Sequence, residues 1–184
     1  MDNPVKGLSL GRIVLRHAVA ADTFEIARLH VRVWQWGYPG QLPDAYLDAL
    51  DSSIPQCEAL RREGLSRLQR EVETWVAECD GRIVPFADIG PSRNNDASTR
   101  TGELWSIHVD GTLARRGIGR TLMRVALDEL RAQEFTEATL WVLDSNRRAR
   151  GFYEALDWQP DGAIKVVQRP GVDLHEVRYR QSLT

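Results

Sequence analysis

Residues 107–123 read IHVDGTLARRGIGRTLM, and this stretch decides the fold because it joins a strand, a glycine-rich turn and a helix start. Gly117 and Gly119 have no side chains, so the backbone amides around them can approach an anion closely. The first turn of the following helix adds N–H groups without intrahelical partners and the positive end of the helix dipole. The stretch therefore predicts a diphosphate site. Three arginines add positive charge there: Arg115, Arg116 and Arg120.

Two better-known phosphate-binding motifs do not fit this turn. The P-loop of nucleotide triphosphatases needs a lysine, and the turn contains none. The dinucleotide motif G-x-G-x-x-G follows a first strand, whereas more than half of the chain precedes Gly117. A G-x-G sequence alone is more often an ordinary helix start, so its interpretation depends on the rest of the chain.

The composition indicates one globular domain over residues 1–184. Hydrophobic residues make up 42% of the chain and charged residues 27%, and a net charge of −2 gives no general reason to expect nucleic-acid binding. Cys57 and Cys79 follow no zinc-ligand pattern, so neither a metal site nor a disulfide framework is predicted. The N-terminus resembles no signal peptide, and no run of eighteen apolar residues occurs, which predicts a cytoplasmic protein without a membrane partner. A homodimer is left open.

Hydrophobic periodicity and turn residues predict the order of the elements. A strand precedes a helix capped near Asp22, and Gly37–Gly40 ends that helix. Asp80–Gly81 and Pro170–Gly171 predict hairpin turns, and the polar stretch 91–102 predicts a mobile loop. The predicted helices cover about 22–36, 44–50, 55–69, 118–132 and 147–156. The predicted strands cover 13–17, 74–78, 82–89, 103–109, 139–143, 164–168 and 176–180.

Three segments resemble motifs of the GCN5-related N-acetyltransferase (GNAT) superfamily. Residues 116–120 (RGIGR) resemble its acetyl-CoA pyrophosphate motif, R/Q-x-x-G-x-G/A, and residues 146–158 (NRRARGFYEALDW) resemble its N-x-x-A-x-x-F-Y-E segment. Residues 34–47 (WQWGYPGQLPDAYL) resemble a bacterial subgroup with W-x-x-x-Y-x-G-x-L-P. The resemblance covers residues 13–181. It implies an α/β (α+β) fold with a mixed, mostly antiparallel central sheet of seven strands flanked by helices.

The chain departs from the family pattern at three positions. Ala114 stands where the pyrophosphate motif has arginine or glutamine, which weakens one contact but leaves the backbone amides in place. Pro85 replaces a usual glycine in a strand, and its missing N–H disturbs the local hydrogen-bond ladder. Asp157 stands where the family usually has glycine before an aromatic residue. None of these changes removes a group that the chemistry needs.

The resemblance implies acetyl-CoA as co-substrate and no metal. In the family, the backbone of the fourth strand pairs with the pantetheine arm and directs an N–H at the thioester oxygen, which assigns Ile107, His108 and Val109 to the coenzyme. Asn146 is a further candidate contact, although it is equally a candidate helix N-cap. The turn residues assigned to the coenzyme are Arg115, Arg116, Gly117, Ile118, Gly119, Arg120 and Thr121.

Acetyl transfer to an amine requires removal of a proton from the amine and benefits from a proton for the leaving thiolate. The resemblance assigns the acid to Tyr153, and a purely apolar helix stripe is the other interpretation of that segment. It assigns the base to Glu103 at the start of the fourth strand, with Asp88 and His108 as alternatives.

Two aromatic residues are candidate contacts of the acceptor amine. Trp34 and Tyr38 stand where the family's first helices wall the acceptor site, and Trp34 is also a core candidate. The predicted activity is direct transfer of an acetyl group from acetyl-CoA to a primary amine of a small molecule or peptide. A non-catalytic acyl-CoA-binding sensor or interaction module of the same fold is the alternative, and a nucleotide-dependent enzyme is a third interpretation.

Overall fold

The computed structural model describes residues 13–66, 72–79 and 81–184 of the chain. The end of the predicted third helix, residues 67–69, and Asp80 of the predicted hairpin lie outside the described residues. The strands are β1 (Ile13–His17), β2 (Glu73–Cys79), β3 (Arg82–Pro91), β4 (Thr101–Val109), β5 (Glu137–Leu143), β6 (Gln159–Arg169) and β7 (Val172–Ser182). The helices are α1 (Thr23–Gly37), α2 (Asp44–Ala49), α3 (Ile54–Ser66), α4 (Ile118–Ala132) and α5 (Arg147–Glu154).

The seven strands form one sheet in the order β1-β2-β3-β4-β5-β7-β6. Neighbouring strands are antiparallel except β4 and β5, which run parallel with α4 as the connection between them. β6 and β7 form a hairpin in which Gly171 has a positive φ of 78°. A mixed, mostly antiparallel sheet flanked by helices confirms the predicted fold class.

One face of the sheet packs against α4. The buried residues of this helix recur every three or four positions, which gives it one apolar side. Leu122, Ala126 and Leu130 share a core cluster with Ile89 of β3 and Leu104 of β4. The described helices include none with the length and apolar character needed to cross a lipid bilayer.

The opposite face of the sheet is covered by α1 near β2 and β3. Ile26 and Leu29 of α1 form a second core cluster with Val76 of β2 and Phe86 of β3. Because helices cover both of its faces, β3 is buried from Pro85 to Gly90. The centre of the sheet is therefore a rigid base for the residues that follow it.

A β-bulge accommodates Pro85. Val76 pairs with Phe86 and Glu78 pairs with Ile83, so two residues of β3 oppose one residue of β2 at this point. A bulge interrupts the ladder locally, and proline within a sheet is tolerated where no ladder N–H is required. The proline therefore sits within β3 without ending it.

The β3–β4 segment, residues 92–100, which the sequence predicts to be a mobile loop, is hydrogen-bonded to the side chains of the sheet. Asp96 accepts two hydrogen bonds from the Arg178 guanidinium in β7, at 2.6 and 2.7 Å. Asn94 accepts a hydrogen bond from Nε1 of Trp141 in β5 at 2.8 Å. Leu140 and Val142 pack with the α4 core, so Trp141 between them points to the other face. The segment therefore covers the face opposite α4.

Candidate active site

β4 and β5 separate to form an open fork in the middle of the sheet. Their parallel ladder ends at the pair Leu104 and Leu140. Beyond this pair, β4 continues to pair with β3 and β5 continues to pair with β7, so the two strands diverge. The β4 arm of the fork carries the three residues predicted to offer their backbone to the coenzyme: Ile107, His108 and Val109.

A β-bulge in β4 is the local cause of the fork. Asp88 of β3 lies opposite Ser106, but its neighbour Ile89 lies opposite Leu104, so Trp105 is an extra residue in β4. A bulge bends its strand and increases the local twist. The end of β4 is thereby turned away from β5, which leaves space between the two arms.

The N-terminus of α4 opens beside the β4 arm. Gly117 precedes the helix with φ of 81°, and no side chain caps this end. The Thr121 amide donates to the Gly117 carbonyl at 3.0 Å, which is the first helical bond. Within the described chain, the amides of Ile118, Gly119 and Arg120 find no acceptor, so they are available to an anion.

The two glycines of the turn are required for different reasons. Gly117 adopts a left-handed conformation that L side chains rarely take, although a Cβ there would meet no atom within 4 Å. A Cβ on Gly119 would lie 3.3 Å from Cγ2 of Val109, so this glycine lets the helix start approach β4 closely. The turn is therefore specified by conformation at its first glycine and by packing at its second.

The remaining predicted coenzyme residues of the turn differ in what they expose. The side chains of Arg115, Arg116 and Arg120 lie at the exposed surface beside the helix start. Ile118 is buried in a core cluster, so only its backbone can contact a ligand. The Thr121 hydroxyl donates to the Gly117 carbonyl at 3.2 Å.

Asn146 links the far side of the fork to α1. Its Oδ1 accepts a hydrogen bond from the Ala149 amide at 3.0 Å, which makes it the N-cap of α5. Its Nδ2 donates to the Tyr38 hydroxyl at 3.2 Å. The predicted capping role is confirmed, and the same side chain joins a candidate coenzyme contact to a candidate acceptor contact.

Tyr153 projects from α5 into the core beside the fork. The residue is 7% exposed and packs against Phe152, Trp158 and Tyr179. Burial raises the pKa of its phenol, and the nearby Tyr38 adds to this effect. No group in the described part of the chain hydrogen-bonds its hydroxyl. Tyr153 therefore combines an apolar position with a protonated, unengaged hydroxyl.

Trp34 of α1 and Tyr38, the residue that follows this helix, lie together on one side of the site. Trp34 Nε1 donates to Nε2 of His108 at 3.1 Å, and the Trp34 and Tyr38 rings lie 4.9 Å apart. Both pack with Leu143 of β5 and Leu174 of β7. Burial raises the pKa of Tyr38, while the bond from Asn146 opposes this.

Glu103 lies just below the point where the fork opens. It is 2% exposed, and its Oε1 accepts a hydrogen bond from Nη2 of Arg93 at 2.6 Å. Its Oε2 accepts bonds from the Arg93 amide at 2.9 Å and from the Ser92 hydroxyl at 3.4 Å. The structure thus places the predicted base at the fork and shows it paired with a cation.

The two alternative bases are more deeply engaged. Asp88 accepts bonds from both Nη atoms of Arg61 at 3.1 and 3.0 Å, and from the hydroxyls of Thr74 and Ser106 at 2.7 Å each. Although burial raises its pKa, the charge of Arg61 and these hydrogen bonds outweigh burial and hold the pKa below its ordinary value. Burial, His30 and Arg61 lower the pKa of His108 far below its usual range.

An open cavity of about 600 Å³ lies on the face opposite α4, with Glu103 in its lining. Sequence reasoning missed this cavity because the β3–β4 segment and the edge of the sheet come together only through distant ion pairs. No short motif marks these residues, and the polar composition of 91–102 predicted only a loop. The lining consists of Arg93, Asn94, Asn95, Asp96, Glu103, Trp141, Ala163, Ile164, Lys165 and Arg178.

The sequence is similar to known acetyltransferases. The sequence family described as Acetyltransferase (GNAT) family matches residues 25–158. A probable N-acetyltransferase of Mycobacterium tuberculosis is 30% identical over 91% of this chain and 92% of its own length. A mycothiol acetyltransferase of Acidimicrobium ferrooxidans is 34% identical over 67% of this chain and 42% of its own length.

A solved structure has the same fold. The PaiA N-acetyltransferase of Thermoplasma acidophilum, crystallised in complex with coenzyme A, superposes with a TM-score of 0.70 at 17% identity, over 93% of this chain and 99% of that chain. This likeness concerns the fold, and the family match concerns the sequence itself. The chain therefore belongs to the acetyltransferase (GNAT) family and is an acyltransferase.

Proposed function

We propose that this chain transfers an acetyl group directly from acetyl-CoA to a primary amine of a small molecule or peptide. The observation that carries the proposal is the fork between β4 and β5. It connects an uncapped helix N-terminus, suited to a diphosphate, with a buried tyrosine on one side and a buried glutamate on the other. These are the groups that binding an acyl coenzyme and moving two protons require.

The residues around the fork fit a coenzyme with a diphosphate and an amide-containing arm. The amides of Ile118, Gly119 and Arg120 would meet the phosphate oxygens, with the exposed arginines of the turn beside them. The strand edges that face the fork would pair with the amides of the arm, as an added strand pairs with a sheet edge. When bound, the coenzyme supplies an acetyl group activated as a thioester.

Tyr153 is the proposed acid. Its raised pKa keeps the phenol protonated at neutral pH, and its hydroxyl has a proton to donate where the departing thiolate needs one. The surrounding core rings hold the side chain in place and exclude water. The tyrosine is then restored by proton exchange with solvent after the products leave.

Glu103 is the proposed acceptor of the amine proton, directly or through a water molecule. Its main engagement is with Arg93, whose side chain is 55% exposed and therefore free to move towards solvent. Asp88 is a weaker base because four hydrogen-bond donors stabilise its ionised form and so lower its pKa. The movable partner favours Glu103 over Asp88.

The test measures thiol release from acetyl-CoA over a panel of primary amines, together with calorimetry of acetyl-CoA binding. We expect binding with one coenzyme per chain and release that depends on the amine. A rate of acetylation that does not depend on the concentration of the protein would contradict the proposal. Preferential thermal stabilisation by ATP or NAD would instead support the nucleotide-dependent interpretation.

One observation favours the second candidate, an acyl-CoA-binding module without turnover. Arg93 donates hydrogen bonds to both oxygens of the Glu103 carboxylate. If Arg93 stays in place, Glu103 is unable to accept a proton from an amine. Tight acetyl-CoA binding with no thiol release for any amine would favour this module over the enzyme.

A further inference from the structure

The cavity beside Glu103 carries a further inference about the acceptor, which rests on the proposed function. We propose that the acceptor is a small zwitterion, a molecule whose primary amine is accompanied by a carboxylate, and that this cavity binds it. The argument uses the position of the cavity, its charges and the ion pair between Arg93 and Glu103.

The cavity meets the fork on the side away from α4. Glu103 of β4 pairs with Thr139 of β5 one residue before the last ladder pair, and Trp141 is the first β5 residue beyond that pair on the same face. Glu103 and Trp141 both line the cavity, whereas Trp34 and Tyr38, the acceptor contacts implied by the family resemblance, do not. A molecule in the cavity therefore reaches the point where β4 and β5 separate.

Each arm of the fork carries one tryptophan, and a cation lies over each ring. The Arg93 guanidinium lies 3.9 Å from the centre of the Trp105 ring on the β4 side. The Lys165 ammonium lies 4.1 Å from the centre of the Trp141 ring on the β5 side. These contacts place the two cations against aromatic rings at the cavity, where both side chains remain partly exposed.

The three cations of the lining differ in their availability. Arg178 is 8% exposed at its side chain and is engaged by Asp96 and Asp161 at 2.6 Å each, so its role is to dock the β3–β4 segment. Arg93 is 55% exposed, and among the described residues only its Nη2 finds a side-chain acceptor. Lys165 is 38% exposed and contacts Glu176 at 3.1 Å. Arg93 and Lys165 can therefore bind a further anion.

The ion pair at the base of the cavity selects for an acceptor with both charges. An amine that reaches Glu103 must displace the Arg93 guanidinium, which then loses its carboxylate partner. An acceptor that brings its own carboxylate gives Arg93 a new partner, beside Lys165, as its amine takes the place of Arg93 at Glu103. An amine without a carboxylate displaces Arg93 and offers it no replacement for the charge-assisted hydrogen bond to Glu103.

The experiment compares longer ω-amino acids, in which at least three methylene groups separate the amine from the carboxylate, with their carboxamides, because the amines of these pairs differ little in basicity. We expect the acids to show a KM about tenfold lower than the matching carboxamides, because one bound carboxylate gains charge-assisted hydrogen bonds. Lys165→Met keeps an apolar side chain on Trp141 and removes the charge. It should raise the KM of the acids roughly fivefold, with a much smaller effect on the KM of the carboxamides, and it should act on KM more than on kcat.

Arg28→Met is the matched control. Arg28 also lies over an aromatic ring, that of Phe24 at 5.6 Å, and pairs with one carboxylate, that of Glu25, but it stands outside the cavity. Its replacement should leave acids and carboxamides unchanged. Added salt should weaken the acids more than the carboxamides in the unmodified protein.

Three outcomes separate this inference from the proposed function. Equal KM values for acids and carboxamides, or an equal effect of Lys165→Met on both, would overturn the zwitterion while leaving the acetyltransferase intact. Absence of turnover with every amine would overturn the proposed function. In that case calorimetry of the same pairs with the CoA-loaded protein still decides the inference, since equal affinities for acid and carboxamide contradict it.

Discussion

Tyr153 is held as a neutral phenol in a position where a charge would be poorly solvated. Tyr153→Phe removes the hydroxyl and keeps the ring contacts with Trp158 and Tyr179. We expect kcat to fall roughly a hundredfold, which is typical when a general acid is lost. The dissociation constant for acetyl-CoA should change less than about twofold, since the hydroxyl has no partner in the described chain.

Steady-state kinetics and calorimetry on the same preparation check this expectation. Phe152→Leu is a suitable control because it alters a neighbouring ring without touching a hydroxyl. Unchanged turnover in Tyr153→Phe would contradict the acid role of the tyrosine. It would support the other interpretation, in which the α5 segment only contributes apolar residues to the core.

Glu103 differs from Asp88 in the exposure of its paired cation, since Arg93 is 55% exposed whereas Arg61 beside Asp88 is 20% exposed. Glu103→Gln should lower kcat/KM mainly at low pH, where less amine is already deprotonated, by a factor of about a hundred. Glu25→Gln, an exposed change in α1, serves as the control. The measurement is a pH profile of kcat/KM for both variants. A profile parallel to that of the unmodified protein would transfer the role to Asp88, His108 or water.

At the scale of the elements, the docked β3–β4 segment forms one wall of the cavity. Asp96→Asn removes the charge that Arg178 binds, while Asp161 continues to hold the guanidinium. We expect faster amide hydrogen exchange in residues 92–100 with little change in α4, because the segment loses its ionic anchor.

Mass-spectrometric hydrogen exchange measures this directly. Asp128→Asn breaks a comparable arginine pair inside α4, with Arg131, and should leave residues 92–100 unchanged. Equal protection of the segment in Asp96→Asn and the unmodified chain would mean that Asn94 and Ser92 suffice to dock it.

Elements with strong periodicity could be predicted from the sequence, and elements that depend on distant partners could not. α4 follows from its apolar row, and the glycine turn follows from Gly117 and Gly119. β6 and β7 extend well beyond the predicted 164–168 and 176–180, because ladder hydrogen bonds join backbones and continue past the alternating side chains. Long-range pairs such as Asp96 with Arg178 leave no local signal.

The candidate site divides in the same way. The family resemblance named Tyr153, Asn146 and Glu103 as candidate site residues, since these positions belong to recognisable segments, whereas the fork between β4 and β5 is seen only in the structure. The bulge at Trp105 and the partnership of Glu103 with Arg93 were missed, because each depends on the register between β3 and β4. Backbone register is set by the whole sheet rather than by any short stretch.

For the whole molecule, the half-buried His30 and the buried His108 make stability depend on pH. Burial and the charge of Arg61 lower the pKa of His30 from 6.5 to about 4, and the pKa of His108 falls in the same direction. Between pH 6.5 and 4 the unfolded chain therefore binds protons that the folded chain does not, so stability falls as pH falls. The shift of His30 corresponds to about 3 kcal/mol.

Carboxylates extend this loss to lower pH. Hydrogen bonds from Arg178 lower the pKa of Asp96 to about 2, so its stabilising contribution is present above the ordinary value of 3.8 and is lost as pH falls towards 2. Urea unfolding at pH 7, 5.5 and 4.5 measures the first window. His30→Phe should flatten the slope, and His175→Gln at the exposed surface should not. A constant unfolding free energy from pH 7 to 4.5 would contradict this account.

The fork between β4 and β5 also makes the stability of the protein depend on the supply of coenzyme. A ligand that fills the gap between these two strands stabilises the folded protein. If it binds only the folded state and is present at a hundred times its dissociation constant, it raises the free energy of unfolding by about 2.7 kcal/mol. Abundant coenzyme would thus keep a larger fraction of the protein folded and resistant to proteases, and a shortage of coenzyme would make the protein easier to degrade.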